Sequence, residues 1–331
     1  MDPKRRTSRS GEAAGRSDAA GLDVRSVGGP ADPALAGRHV LGVTTFPDGS
    51  GPATWSGPGV HLEVPLVALG AGPVHEIWSA ATEPIMVREG GVSAAIAEDV
   101  LFGTVDVPVG PIADAAHAAF GDLLAFCARH DRPHPVRVWC VLPDIHGEER
   151  GLERYQAFCA GRSRAFEDRF GEDYSASLCA STAVGSRAGR AVVYFLAGFR
   201  PGEHVENPRQ VSAYSYPACH GPRSPSFARA TRVGGRLFVS GTASIVGHES
   251  LHVGDVGAQV DETLDNIDVL RRAAEPSSAA ASWKVYVRHP ADAAEVLAKM
   301  RRRVGSNASI VTLVADICRC ELLVEIEAVL G

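Results

Sequence analysis

Glu325 and Glu327 stand two residues apart in the aliphatic run Leu322-Leu323-Val324-Glu325-Ile326-Glu327-Ala328. Side chains of a strand alternate in direction, so the two glutamates share one face and Leu322, Val324, Ile326 and Ala328 the other. A charged carboxylate among apolar side chains is costly unless paired or solvated. A carboxyl kept in such a place has a raised pKa and can deliver a proton near neutral pH. The same alternation also describes the solvated face of an edge strand, and the strand alone leaves both readings open. Arginines supply the complementary chemistry. Arg162 falls in a helical run, while Arg223 and Arg229 bracket Ser224-Pro225-Ser226-Phe227-Ala228, shortly after Tyr214 and Tyr216. A guanidinium fork matches a carboxylate in bidentate fashion. Each arginine alone reads as a surface cation, but together these five residues can form a wall for an anionic ligand.

Other candidate motifs are weaker. His248-Glu249-Ser250-Leu251-His252 matches the zinc-peptidase pattern H-E-x-x-H by letter. That chemistry requires a helix, which would turn both histidines to one side. Here Gly247 precedes the run and Gly254-Asp255 follows it, which makes it a loop before a helix. Cys318-x-Cys320 lacks a second cysteine pair nearby, so half-buried thiols are expected. The chain has no G-x-S-x-G elbow, phosphate-binding P-loop or G-x-G-x-x-G fingerprint, so nothing supports a serine hydrolase, nucleotide triphosphatase or Rossmann reading.

The elements that must position these groups form two series. Residues 1–36 are rich in Gly, Ala, Ser, Asp and Arg and read as a flexible tail. An N-terminal unit over 37–200 has strand-like runs from Val40 onward, at 60–69, 74–79, 92–97 and 100–107. A helix follows over 111–129, with Ile112, Ala115, Ala119, Leu123 and Phe126 on one stripe. Then come a strand at 136–142, a helix at 152–170 and strands at 178–184 and 191–199. Residues 201–225 hold Pro201, Pro208, Pro217, Pro222 and Pro225, too many for a long regular element. This connector is aromatic and basic rather than Gly/Ser-rich, so it is expected to pack against the protein. The C-terminal unit, 226–331, opens with a hairpin around Gly234-Gly235. Asp255 caps a helix with Val256, Val260, Leu264, Ile267 and Leu270 on one stripe. A strand at 283–288, a helix at 291–304 and strands at 310–314 and 322–329 complete it. The fold class is α+β, with helices on one face of each sheet. The first unit reads as a diverged and elaborated version of the second, although no residue-level repeat is evident.

The totals agree with this picture. The 331 residues are 45% hydrophobic and 22% charged, which suits a globular protein of two units. A net charge of -6 gives no sign of a nucleic-acid or anionic-membrane partner. Seven irregularly spaced cysteines do not form a disulfide framework and suit a reducing cytoplasm. No run of apolar residues is long enough to span a membrane, and Lys4-Arg5-Arg6 is not followed by the apolar stretch of a secretory signal.

Several of these stretches together resemble the chorismatase family. They are Ser224-Pro225-Ser226-Phe227-Ala228-Arg229-Ala230, the run from Leu237 to Ser250, the helix face of Gln259, Glu262, Thr263 and Asn266, and Ala315-Asp316-Ile317-Cys318-Arg319 with Leu322 to Glu327. Gly151 to Tyr155, Gly161-Arg162 and Tyr214-Ser215-Tyr216-Pro217 agree, so the resemblance covers roughly residues 38–331. Cys140, His146 and Cys159 depart from it, standing where many members carry amides, and Cys219-His220 replaces a more aromatic pattern. The resemblance implies two YjgF/RidA-like units and an enzyme that releases pyruvate from chorismate without metal or redox cofactor. Glu325 is then the acid that protonates the enol methylene carbon. Arg162, Arg223 and Arg229, helped by Tyr214 and Tyr216, then hold the two substrate carboxylates. Ala243 and Cys318 correspond to positions that separate the branches of the family. Alanine at 243 resembles the hydrolytic branch, which makes a dihydroxycyclohexadiene carboxylate. Cysteine at 318 resembles the branch that makes 3- or 4-hydroxybenzoate, the product expected here. The rival from another class is a RidA-like imine deaminase or metabolite-binding protein. Those carry an arginine before the penultimate strand, where this chain reads Asn307-Ala308-Ser309. No obligate protein partner is indicated.

Overall fold

The computed structural model describes residues 21–28, 38–51, 55–187, 189–276 and 281–331. The expectation of a flexible tail over 1–36 falls mostly outside these residues. Within them it is corrected: Asp23–Gly28 is a strand, β1, paired antiparallel along Val74–Ala80. Pairing to a distant strand supplies the order that local composition lacks.

The N-terminal part continues with β2 (His39–Phe46), β3 (Val60–Glu63), β4 (Val67–Ala68) and β5 (Val74–Ala80). The expected strand over 60–69 is thus interrupted at Pro65, as a missing backbone donor requires. Then follow β6 (Ile85–Glu89), β7 (Val92–Ala97), β8 (Val100–Val105), α1 (Ile112–Arg129), β9 (His134–Pro143), α2 (Arg154–Phe170), β10 (Ala180–Ser186) and β11 (Val192–Gly198). The C-terminal part has β12 (Glu203–Val205), β13 (Ala230–Val233), β14 (Arg236–Thr242), α3 (Val256–Ala274), β15 (Ala281–Val287), α4 (Ala293–Val304), β16 (Ser309–Val314) and β17 (Val324–Leu330). Asp255 caps α3 as its sequence predicts, accepting from the Ala258 N–H at 2.9 Å.

Strand order makes the duplication visible. One sheet runs β10-β9-β11-β8-β7-β6, and the other, read from the matching end, β16-β15-β17-β14-β13 with β12 and β4 added at its edges. In each, the first two strands of this order pair parallel and the rest antiparallel: β10 with β9, and β16 with β15. A third sheet, β1-β5-β2-β3, closes one side. The class is α+β, as the sequence predicts.

The layering explains why Glu325 and Glu327 are not on a solvated edge. Helices α1 and α2 bury Phe120, Leu123, Phe158 and Phe166 against the outer face of the N-terminal sheet. Helices α3 and α4 bury Val260, Leu264, Ile267 and Met300 against the outer face of the C-terminal sheet. The inner faces of all three sheets meet around Trp78, Trp139, Tyr194 and Tyr286. β17 lies between β14 and β15, with every residue buried. Its apolar residues Val324, Ile326 and Ala328 face α3 and α4, so its glutamates face the inner layer.

Candidate active site

The two glutamates occupy opposite electrostatic settings. Glu327 receives five donors. Arg137 Nη2 at 2.7 Å, the Thr182 hydroxyl at 2.6 Å and the Tyr286 hydroxyl at 3.0 Å donate to Oε2. Trp139 Nε1–H at 2.7 Å and Lys284 Nζ at 2.9 Å approach Oε1. Burial alone would raise its pKa, but Lys284 and Arg137 outweigh it and hold the carboxyl near 2. Glu325 shares none of these donors. Burial, and then repulsion from Glu327, raise its pKa to about 8, with Arg137 offsetting only part of this. Neighbouring carboxyls separated in this way make one group a fixed anion and the other a proton carrier.

Backbone irregularity aims Glu325. The register of β14 against β17 shifts between Val239 and Thr242, a bulge opposite the glutamates. Gly241 lies in it, and a Cβ there would collide with the Glu325 carboxyl. Its N–H donates to Thr182 Oγ1 at 2.9 Å, which joins the bulge to the N-terminal unit.

Glu325 opens into a cavity of about 230 Å³ between the two units, lined also by Tyr155, Tyr216, Phe227, Arg229, Ala243, Cys318 and Arg319. A narrower recess of about 30 Å³ continues past Glu325 and Cys318 to Arg162. Arg162 is 2% exposed. Its Nη1 donates to Ser181 Oγ at 3.1 Å, but Nε and Nη2 have no partner among the described residues. A buried guanidinium with idle donors is a receptor for an anion. Arg229 is similar: Nη2 donates to Val211 O and to the Tyr216 hydroxyl, both at 2.7 Å, while Nε is idle.

The loop between β16 and β17 brings Cys318 and Arg319 to this cavity. Arg288 holds it by pairing with Asp316 at 2.9 Å and donating to Leu322 O and Arg319 O at 2.9 and 2.8 Å. From α3, Gln259 donates to Glu321 O at 3.0 Å and accepts from the Leu323 N–H at 2.7 Å. Asn266 donates to Ala243 O and Ile245 O at 3.3 and 2.9 Å, fixing the opposite wall. The polar stripe Gln259–Asn266 therefore shapes the cavity without lining it.

Of the residues singled out by sequence, Glu325, Arg162, Tyr216, Arg229, Ala243 and Cys318 come together. Two do not. Arg223 lies on the surface, paired with Glu167 at 2.5 Å. Tyr214 packs against the α1/α2 core. Arg319, Tyr155 and Phe227 are the additions. Arg319 was in view as part of the run Ala315–Arg319, but its cationic role is signalled only by the loop that carries it. Burial and Glu325 push the Cys318 thiol up to about 12, so it is neutral. The H-E-x-x-H run is not helical: its two histidines flank and follow the short strand Glu249–Ser250, and His252 has φ of +57°.

Comparison with known proteins places these features in context. A family model described as "Chorismatase FkbO/Hyg5-like, N-terminal" matches residues 76–197. A "3-hydroxybenzoate synthase" of Streptomyces hygroscopicus is 36% identical over 88% of this chain and 92% of its own length. A "Chorismatase" of Streptomyces rapamycinicus is 38% identical over 77% of this chain and 82% of its own length. A crystal structure of a chorismatase superposes with a TM-score of 0.82 at 31% identity, covering 94% of this chain and 98% of that one.

Proposed function

The chain belongs to the chorismatase family, and from that premise we propose that it converts chorismate to pyruvate and 3-hydroxybenzoate, with Glu325 as the acid. The observation that carries this reading is a buried carboxyl, its pKa raised to about 8, at the floor of a cavity to which Arg162, Arg229 and Arg319 bring positive charge. Arg162 in the recess takes one substrate carboxylate, and Arg229 with Arg319 at the wider end takes the other. Glu325 gives its proton to the enol methylene carbon. The alkene electron pair forms the new C–H bond, and the ether oxygen shares its lone pair to give an oxocarbenium ion. The new Glu325 carboxylate stabilises that cation in a site shielded from water. The ring hydroxyl then attacks the ring carbon that carries the ether. That C–O bond breaks, and its electron pair completes the ketone of pyruvate. The hydroxyl proton returns to Glu325. One C–O bond of the ring epoxide then breaks with its electron pair on oxygen, which gains a proton while the ring carbon that keeps the oxygen loses one, giving the phenol. No water is consumed overall.

Cys318 supports this branch, because its neutral thiol sits beside Glu325 in both parts of the cavity. Ala243, a small residue on the wider wall, favours a second reading in which water attacks the cation and a dihydroxycyclohexadiene carboxylate is released. Incubating the protein with chorismate and identifying products by chromatography and mass spectrometry decides between them. Absence of pyruvate sinks both. The seven cysteines are unpaired, which suits a reducing compartment and a cytoplasmic enzyme. No helix of the described residues is long and apolar enough to cross a membrane.

The value of kcat/KM for chorismate falls as pH rises through about 8, because the reactive form of Glu325 is the protonated one; a rate that climbs through this range removes Glu325 as the acid. A charge-assisted hydrogen bond contributes about 1.5–3 kcal/mol, so Arg319→Leu lowers kcat/KM by about 10- to 100-fold. Arg223→Leu, whose side chain is held at the surface by Glu167, leaves it within about twofold. Equal effects of the two substitutions in steady-state kinetics would contradict this carboxylate assignment.

A further inference from the structure

Three side chains at the cavity mouth have no part in the chemistry above. Cys219 and His220 lie on the 3-10 turn Ala218–His220 of the connector, and His248 on the turn between Ile245–Val246 and Glu249–Ser250. One donor atom from each falls within 4.8 Å of the others. His220 Nε2 and His248 Nδ1 are 3.1 Å apart. In a tetrahedral zinc site, metal–nitrogen bonds of about 2.0–2.1 Å place two nitrogen ligands about 3.3 Å apart, and nitrogen and sulfur about 3.6 Å. The imidazoles therefore already stand at ligand spacing. The sulfur has to close by no more than about 1.2 Å, on an exposed side chain that forms no disulfide.

Both arms of the cluster are held by the backbone. The Gly247 N–H donates to Arg209 O, and Gly247 O accepts from the Val211 N–H, each at 2.8 Å. Gly247 has φ of +60°, which sets the turn that presents His248. The His220 N–H donates to Pro217 O at 3.1 Å, and its ring packs on Tyr216 with centroids 5.2 Å apart. The adverse charge is Arg319, whose Nη1 donates to His248 O at 2.9 Å. Glu321, which accepts from Ser250 Oγ at 2.7 Å and also lines the mouth, opposes it. A cysteine thiolate formed on metal binding adds a second negative charge and releases a proton.

We propose that Cys219, His220 and His248 bind one divalent cation of the zinc class, tying the connector to the hairpin turn across the cavity mouth. Three protein ligands leave one tetrahedral position for water. His248 thus ligates with residues of the connector, not with His252, which lies 3.3 Å from Glu262.

The test uses the full chain, reduced, stripped with a chelator and free of substrate, so its outcome does not depend on the reaction assigned above. Titration with Co²⁺ gives, at one equivalent, a thiolate-to-cobalt charge-transfer band and intense tetrahedral visible bands, which Zn²⁺ then removes. Cys219→Ser abolishes the charge-transfer band, and His248→Ala weakens Zn²⁺ binding by more than about tenfold. Circular dichroism confirms that both variants are folded. The proposal is overturned if the protein takes up no stoichiometric Co²⁺ or Zn²⁺. It is equally overturned if the charge-transfer band survives in Cys219→Ser, which places the ion on another thiol.

Discussion

Glu325→Gln lowers kcat for chorismate by about 10³-fold, the range general acid catalysis supplies, while the protein folds as before. Glutamine copies the shape and neutrality of the carboxyl that Glu325 presents at neutral pH, so the bulge at Gly241 and the five donors around Glu327 are undisturbed. It has no acidic proton for the enol carbon and cannot become the anion that faces the oxocarbenium ion. Pyruvate release measures the loss, and turnover near that of the unmodified chain would remove Glu325 from its role. Stability gives a second readout. In the unfolded chain this carboxyl titrates near 4.5 and in the fold near 8, so the folded state holds the proton more tightly. Its stabilising contribution is full below about pH 4.5 and is lost as pH rises towards 8. The glutamine variant has no such dependence. Its stability relative to the unmodified chain therefore improves across that window, as urea unfolding at several pH values would measure.

The parts of this design that were legible in the sequence are those encoded by short-range pattern. The apolar stripe of Val256–Ala274, its Asp255 cap, the Gly234-Gly235 hairpin and the alternation that puts Glu325 and Glu327 on one face all depend on spacing, and all are present. What was not legible depends on distant partners. Alternation in β17 looks like a half-solvated strand because the sequence does not show that Lys284, Arg137 and Trp139 arrive from 43 to 190 residues away to pair with Glu327. Arg223 and Arg319 are both arginines in irregular segments. Glu167 holds one at the surface, while Arg288 and Gln259 turn the loop of the other to the cavity. The strand Asp23–Gly28 is polar and rich in small residues, and its order comes from β5 rather than from itself. The duplication was legible in the order of elements but not residue by residue, for a related reason. Strand order and direction are shared by the two units, but their inner faces meet different neighbours and have diverged.

Lys284→Met destabilises the fold by about 3–5 kcal/mol, the cost of removing one partner of a buried ion pair. Lys284 is 3% exposed and lies between Glu76 of the closing sheet at 3.0 Å and Glu327 at 2.9 Å. Burial by itself would lower its pKa; the two carboxylates reverse this and keep it firmly charged. Methionine fills most of the volume and can rest on Trp139, over which Nζ now sits 4.8 Å from the ring centroid. It cannot answer either carboxylate. Glu76 then keeps the Thr44 hydroxyl at 3.2 Å and Trp78 Nε1–H at 3.4 Å, a weak set of donors for a buried anion. Glu327 still has Arg137 and Thr182, so the larger share of the loss falls on Glu76. That asymmetry sets the second arm of the test. Adding Glu76→Gln to Lys284→Met recovers more stability than adding Glu327→Gln, because it removes the charge with the fewer donors. The network also reaches catalysis, since Glu327 is one source of the raised pKa of Glu325. Glu327→Gln alone removes that repulsion, so the Glu325 pKa falls and the alkaline limb of kcat/KM moves to lower pH. Urea unfolding of the single and double variants, with pH–rate profiles of those that turn over, measures both effects. A Lys284→Met protein as stable as the unmodified chain, or a limb that stays in place without Glu327, would show that the two carboxylates are not coupled through this layer.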